Sequence, residues 1–262
     1  MGIRFNCVCK RFGPKIILND VSFEVSDGEI LFILGKSGAG KSVTLKHIVG
    51  VLKPDSGSVF VGDTNVSILS DEALTAVRRQ CGMVFQHPAL LDSLTVYQNV
   101  SFGLRTPQYL ASLERPLTEN EIQKIVIEKL SLVNLGSDVL DKMPSALSYG
   151  MQKRVSLART LAPSPRYLLF DEPTTGLDPI TTNAVNDLIF ELSRKLNVTS
   201  IVVSHDMQCA LKTADRILVL DQAKILTIGS VSEIKQSNEK LVKDFLEETL
   251  ALFLPSSIGG HG

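Results

Sequence analysis

Residues 30–52 read ILFILGKSGAGKSVTLKHIVGVL. The opening ILFIL is a short apolar run of strand character, Gly35 to Ser42 match G-x-x-x-x-G-K-S, and the stretch after Gly40 has the pattern of a helix. Strand, glycine-rich loop and helix in that order are the context in which this pattern holds phosphate. The glycines let backbone N–H groups close around phosphate oxygens, and the helix N-terminus adds its positive end. Lys41 is placed to reach β and γ phosphates and Ser42 to ligate magnesium. The competing reading, an ordinary glycine-rich turn, does not explain why a strand and a helix flank the motif in this order.

Upstream, Ile3 to Val8 and Val21 to Val25 are β-rich runs separated by a Gly13-Pro14 turn, and Asp27-Gly28 leads into ILFIL. Downstream, a turn at Pro54 to Gly57 precedes the strand SVFV, and a helix over about Asp71 to Arg79 leads to the strand CGMVF. From about Ala89 to Pro165 the pattern becomes helical, including a segment opened by a capping box, Thr118 with Glu121. Alternation then returns with YLLF, a helix from about Pro179 to Leu196, TSIVVS, a short helix, RILVL and KILTI. The expected fold is α/β: a phosphate-loop nucleotide hydrolase core with a mostly parallel sheet, an N-terminal antiparallel β subdomain and an inserted α-helical subdomain.

RYLLFDEP supplies a second part of the site. An apolar strand ending in two carboxylates delivers both to the carboxyl edge of a parallel sheet, where ligands bind. Adjacent strand residues point to opposite sides, so Asp171 is expected to face a magnesium shell and Glu172 an attacking water. Two solvated acids at a strand end would be the bland alternative; the phosphate loop makes it the weaker one.

Composition bounds the function. A chain of 262 residues, 44% hydrophobic and 21% charged, can bury a sizeable core. No segment approaches the roughly 18 consecutive apolar residues of a membrane span, and MGIRFNCVCKRF carries charge where a signal peptide is apolar. Asn6 stands where the myristoylation pattern wants Ser or Thr. A formal net charge of −1 provides no global field for nucleic acid, so nucleic acid is not an expected partner. Cys7, Cys9, Cys81 and Cys209 form neither a disulfide framework nor paired zinc ligands, and Cys7 and Cys9 suit same-facing positions of a strand. Reduced structural cysteines point to the cytoplasm.

LSYGMQKR at Leu147 to Arg154, LLFDEP, TGLD at Thr175 to Asp178, and Ser204-His205-Asp206 together resemble the signature, Walker B, D-loop and switch histidine of ATP-binding cassette proteins. The resemblance covers essentially the whole chain. It implies a head-to-tail dimer that sandwiches two ATP molecules with Mg2+, each held by the phosphate loop of one subunit and the signature of the other. On this resemblance ATP contacts come from Phe12, stacking on adenine, and from Gly35, Lys36, Ser37, Gly38, Ala39, Gly40, Lys41, Ser42 and Val43. Glu172, His205 and Gln86 in VFQHP are catalytic, and Ser148, Gly150 and Asp178 contact the ATP of the second subunit. The metal falls to Ser42, Gln86 and Asp171, the last through water. Residues 1–240 become the ATPase domain, with its insertion over about 89–165, and residues 241–262 a C-terminal amphipathic helix and tail. His47, His87 and His261 lack metal-ligand spacing and are treated as incidental.

The signature departs from the family's usual LSGGQ: Tyr149 replaces the first glycine and Met151 the glutamine. Tyrosine gives up the close backbone approach and unusual dihedrals that glycine permits, which puts the geometry of the trans site in question. Met151, ALLDSLTVYQNVSFGLR and GLDPIT resemble the ATPases of Mce-linked lipid transporters, including the Mla lipid-asymmetry system. That resemblance implies transport of phospholipid or another lipid across the cell envelope. A polar amino acid importer shares every catalytic motif and is the alternative; a soluble, non-transport cassette ATPase is a further one. Expected partners are a second ATPase subunit in a homodimer, membrane permease subunits, a small regulatory subunit and a substrate-binding protein. The expected location is the inner face of the cytoplasmic membrane, through those partners. Leu241, Phe245, Leu246, Leu250 and Phe253 recur at helical spacing and are expected to pack on their own domain, or on a dimer mate or regulatory subunit.

Overall fold

A computed structural model of the protein describes residues 2–251. In chain order, β1 (Ile3–Phe12) and β2 (Lys15–Val25) form a hairpin, and β3 (Ile30–Leu34) runs into α1 (Lys41–Ile48). Next come β4 (Ser56–Val61), β5 (Thr64–Asn65), α2 (Asp71–Gln80) and β6 (Cys81–Val84). Four helices follow: α3 (Val96–Ser101), α4 (Pro107–Leu110), α5 (Glu119–Leu132) and α6 (Tyr149–Leu161). Then the chain alternates through β7 (Tyr167–Asp171), α7 (Pro179–Lys195), β8 (Thr199–Val203), α8 (Met207–Thr213) and β9 (Arg216–Asp221). It closes with β10 (Lys224–Ser230), α9 (Val231–Lys235) and α10 (Lys240–Ala251).

The strands make two sheets. The first, in order β2-β1-β4-β5, is antiparallel. The second runs β10-β9-β3-β8-β7-β6, parallel throughout except for β10 on β9. All residues of β3 and β8 are buried, because a parallel sheet covered on both faces leaves no side for water. Alternation along β3 divides the core: Ile30, Phe32 and Leu34 join the helical insertion, α7 and α8, while Leu31 and Ile33 join α1 and the antiparallel sheet. The expected architecture, with its helical insertion between β6 and β7, is the one observed.

The hairpin strands extend beyond the apolar runs that signal them, since Lys10–Phe12 pair with Lys15–Leu18 at the exposed end. The simple alternation expected of Cys7 and Cys9 fails. Register shifts flank Val8 and Cys7 sits at φ 47°, a bulge that leaves it exposed with its N–H donating to Ser22 Oγ at 2.7 Å. Cys9 is half-buried, its sulfur accepting from Asp20 N at 3.3 Å, and all four cysteines are free.

The capping box at Thr118 and Glu121 starts α5, and Thr95 with Gln98 forms a second one at α3 that sequence inspection passed over. Asn99, fully buried, accepts from Leu91 N and donates to the carbonyls of Leu91, Leu94 and Thr95, so it organises the segment between β6 and α3. In α10, Leu241 and Val242 are buried and Phe245 and Leu246 partly so, against the core cluster that contains α8. Phe253 and the side chain of Leu250 lie outside the described residues. No described helix is long and apolar enough to cross a membrane.

Leu168 lies within β7 with no solvent exposure. Leu168→Ala should cost about 2–5 kcal/mol through lost burial and a residual cavity, measured as the change in unfolding free energy in denaturant.

Candidate functional site

The carboxyl ends of β3, β8 and β7 lie side by side, and each contributes one part of the site. Two backbone bonds extend the ladder beyond the strands: Ser204 N donates to Ile33 O at 3.2 Å and Glu172 N to Val203 O at 2.9 Å. The phosphate loop, the two carboxylates and His205 are therefore held in one frame.

Between β3 and α1, Gly40 takes φ 105° and caps the helix from the left-handed region. A Cβ there would stand 2.7 Å from Ile17 O, and one at Gly35 would stand 2.4 Å from Leu220 O, so the loop is packed against backbone that cannot yield. Lys41 is buried; its Nζ donates to Gly35 O at 2.8 Å and Lys36 O at 3.3 Å, and stands 3.4 Å from Glu172 Oε1. Ser42 Oγ donates to Asp171 Oδ1 at 2.6 Å.

Asp171 ends β7, but Glu172 is not the next strand residue with its side chain on the opposite face. It adopts φ 50°, in the left-handed region that disfavours a side-chain-bearing residue by about 1–3 kcal/mol. That turn, rather than strand alternation, separates the two carboxylates. Glu172 Oε2 accepts from His205 Nδ1 at 2.8 Å and from Thr175 Oγ1 at 3.0 Å. Burial alone would raise the Glu172 pKa; the hydrogen bond and charge of His205, followed by the charge of Lys41, outweigh it and hold the carboxyl below its ordinary value. His205 is shifted upward, chiefly by its hydrogen bond to Glu172, with burial opposing.

These groups open on a cleft of about 570 Å³, lined by Gly35–Gly38, Gly40–Val43, Gln86, Glu172 and His205. Most of the sequence-predicted residues thus meet in one place. Ala39 turns inward, buried beneath the loop, and Asp171 stands behind Ser42. Phe12 is outside the lining, 46% exposed at the hairpin end, where it pairs across the strands with Lys15. Ser148, Gly150 and Asp178 are outside it as well. Ser148 caps α6, its Oγ accepting from Met151 N at 3.3 Å, and Asp178 caps α7, Oδ1 accepting from Ile180 N and Thr181 N, both at 3.0 Å.

Tyr149 is the first residue of α6 and takes no left-handed dihedral, so position 149 does not need glycine's freedom. Close approach matters at Gly150, where a Cβ would meet Thr181 Cγ2 at 3.3 Å. Sequence reasoning missed Lys15, Ile17, Thr175 and Phe245 in the cleft lining. Only Thr175, inside the TGLD string, carried a signal. It also missed Lys153, 4% exposed, whose Nζ donates to the carbonyls of Phe85, Gln86 and Pro173, and whose pKa burial pushes down to about 8.

The His205–Glu172 pair has a pH signature with a definite sign. His205, raised above its ordinary 6.5, contributes stability below that value and loses it as pH rises through the folded value. Glu172, lowered from 4.5, contributes above 4.5 and loses its share as pH falls through the folded value. The destabilisation caused by His205→Ala should therefore be greatest between about pH 4.5 and 6.5 and fade above, in thermal melts across pH. In NMR titration His205 should titrate above 6.5 and move back toward it in Glu172→Gln.

Known proteins share this fold. The family described as ABC transporter matches residues 18–175. The chain is similar to the methionine import ATP-binding protein MetN of Carboxydothermus hydrogenoformans, 37% identical over 245 residues, which are 93% of this chain and 70% of that one. It is 36% identical over 246 residues to the probable ribonucleotide transport ATP-binding protein mkl of Mycobacterium tuberculosis, covering 94% of this chain and 66% of that one. The chain thus spans only about two thirds of the length of such relatives. Among solved structures, the post-hydrolysis dimer of the ATP-binding cassette MJ0796 bound to ADP and Pi has a TM-score of 0.77 at 31% identity, over 87% of this chain and 98% of that one. The cbiO1 protein of Clostridium perfringens, part of the ABC transporter complex cbiONQ, has a TM-score of 0.78 at 28% identity, over 94% and 98%. With the family match spanning more than half the chain and the phosphate loop, paired carboxylates and histidine assembled around one cleft, the chain belongs to the ABC transporter family as an ATPase subunit.

Proposed function

We propose that two copies of the chain close head to tail on two ATP molecules and that the closure drives separate membrane permease subunits. The observation that carries this reading is the cluster of Lys41, Glu172 and His205 at the mouth of the phosphate loop. Lys41 binds the β and γ phosphates, exchanging loop carbonyls for a stronger anionic partner. Glu172, kept ionised by His205 and Lys41, orients and polarises the attacking water. His205 holds that carboxylate and contacts the γ phosphate. Ser42 and Asp171, whose oxygens lie 2.6 Å apart, suit magnesium, and Ser42, Gln86 and Asp171 would hold it. When bound, Mg2+ neutralises charge on the phosphate oxygens.

Phe12 stacks on adenine, a role supported by its exposure and by its cross-strand neighbour Lys15 in the cleft lining. In the dimer, the exposed Ser148 and, two residues on, Gly150, at the N-terminus of α6, contact the partner's ATP, and Asp178 approaches it from the cap of α7. ATP binding supplies the main conformational work and hydrolysis reopens the dimer.

For the transported solute, the relatives support the amino acid importer: MetN proteins of Carboxydothermus hydrogenoformans and Clostridioides difficile are each 37% identical to this chain. Lipid transport is the second reading, favoured by Met151 in the signature and by GLDPIT. The permease that copurifies from membranes decides between them, and ribosomes or DNA in its place would overturn transport altogether.

Glu172→Gln should bind ATP yet hydrolyse it about 100-fold more slowly, roughly 2.7 kcal/mol in barrier. An unchanged steady-state rate removes Glu172 from its role. Lys41→Ala should lose nucleotide affinity, read by calorimetric titration.

A further inference from the structure

Tyr149 and Lys153 are one helical turn apart on α6, and both reach the same short segment after β6. Lys153 Nζ donates to Phe85 O at 3.4 Å and, in a shorter contact, to Gln86 O; it also donates to Pro173 O at 3.0 Å, directly after Glu172. The same ammonium lies 5.8 Å from the centroid of the Tyr149 ring. The Tyr149 hydroxyl reaches Gln86 O at 3.5 Å, and His87 Nδ1 lies 3.3 Å from that hydroxyl. Asp and Glu are absent from the contacts of Lys153 among the described residues: its charge is met by carbonyls and a ring, with Val185, Leu188 and Ile189 of α7 lining the pocket beside it. A buried cation without a counter-ion is costly unless its hydrogen bonds are all made. Here they are made to the main chain beside Gln86 and beside Glu172, the residue that needs holding in a left-handed conformation.

We propose that Lys153, assisted by Tyr149, is a positioning residue for hydrolysis: it fixes the backbone of Gln86 and of Glu172 from the signature helix. The tyrosine that replaces the usual signature glycine is on this account a contact to its own subunit. It leans on the Gln86 segment while Ser148 stays exposed at the end of α6. The inference rests on the reading above that Gln86 and Glu172 serve ATP hydrolysis.

The test is steady-state ATP hydrolysis by the full chain. Lys153→Gln should lower kcat about tenfold or more and leave KM for ATP within about twofold, because misplacement of catalytic groups acts on the chemical step. Lys153→Arg, which keeps the charge and donors, should recover the rate to within about threefold. Tyr149→Phe, which keeps the ring, should lower kcat about two- to fivefold at unchanged KM. In a Gln86→Ala background the loss from Lys153→Gln should shrink, since part of its effect passes through Gln86. Wild-type kcat in Lys153→Gln, a fall in ATP affinity equal to that in kcat, or full additivity with Gln86→Ala would each overturn the inference. Should Lys153→Gln fail to fold, wild-type kcat in Tyr149→Phe overturns it. Glu172→Gln assayed in parallel separates the two levels. Full activity there brings down the catalytic reading itself, whereas an inactive Glu172→Gln beside active Lys153→Gln and Tyr149→Phe brings down this inference alone.

Discussion

The parallel pairing of β3, β8 and β7 is the constraint on which the rest of the site depends. Each strand ends in a different piece of chemistry: the phosphate loop, His205 and the Asp171-Glu172 pair lie far apart in the chain and within hydrogen-bonding reach in space. Main-chain bonds continue past the strand ends, from Ser204 to Ile33 and from Glu172 to Val203. A slip of one residue between β7 and β8 would carry Glu172 away from both Lys41 and His205, and would exchange side chains between the two core layers that cover the sheet. Core packing and site geometry therefore share one origin.

Within that frame, charge decides what the groups can do. Glu172 sits where burial favours its neutral form, and the water-polarising role proposed for it needs the ionised one. The cations on either side, His205 and Lys41, reverse the balance. His205 gains a raised pKa from the same contact, so each residue favours the charged form of the other. Thr175 completes the carboxylate's shell. The strain at Glu172 belongs to the same arrangement, because its left-handed turn brings the carboxylate round to these partners.

Among the described residues, the helical insertion is tied to this centre through main-chain carbonyls that accept from Lys153. Lys153 joins α6 to the segments bearing Gln86 and Glu172, and Asn99 organises the stretch that leads from Gln86 into α3. Carbonyl acceptors make such a link indifferent to the side chains at Phe85, Gln86 and Pro173. A lysine at the right turn of the helix is sufficient.

What the sequence determined by itself was the order of elements and the identity of the phosphate site. ILFIL, the glycine loop and the helix after it are local patterns whose physical requirements are met within a few residues, and so is the cap at Thr118. Asp171 and Glu172 were legible as a pair, but their separation was attributed to strand alternation, when a left-handed residue performs it. The bulge at Cys7 was hidden for a similar reason, since a single backbone dihedral leaves no periodic trace. Tertiary structure alone decided that Tyr149 needs no glycine conformation, that Phe245 of the last helix reaches the cleft and that Lys153 is a buried cation. Each of these depends on which distant backbone atoms arrive beside a side chain, and that is settled by the packing of α6, α10 and the sheet rather than by any spacing along the chain.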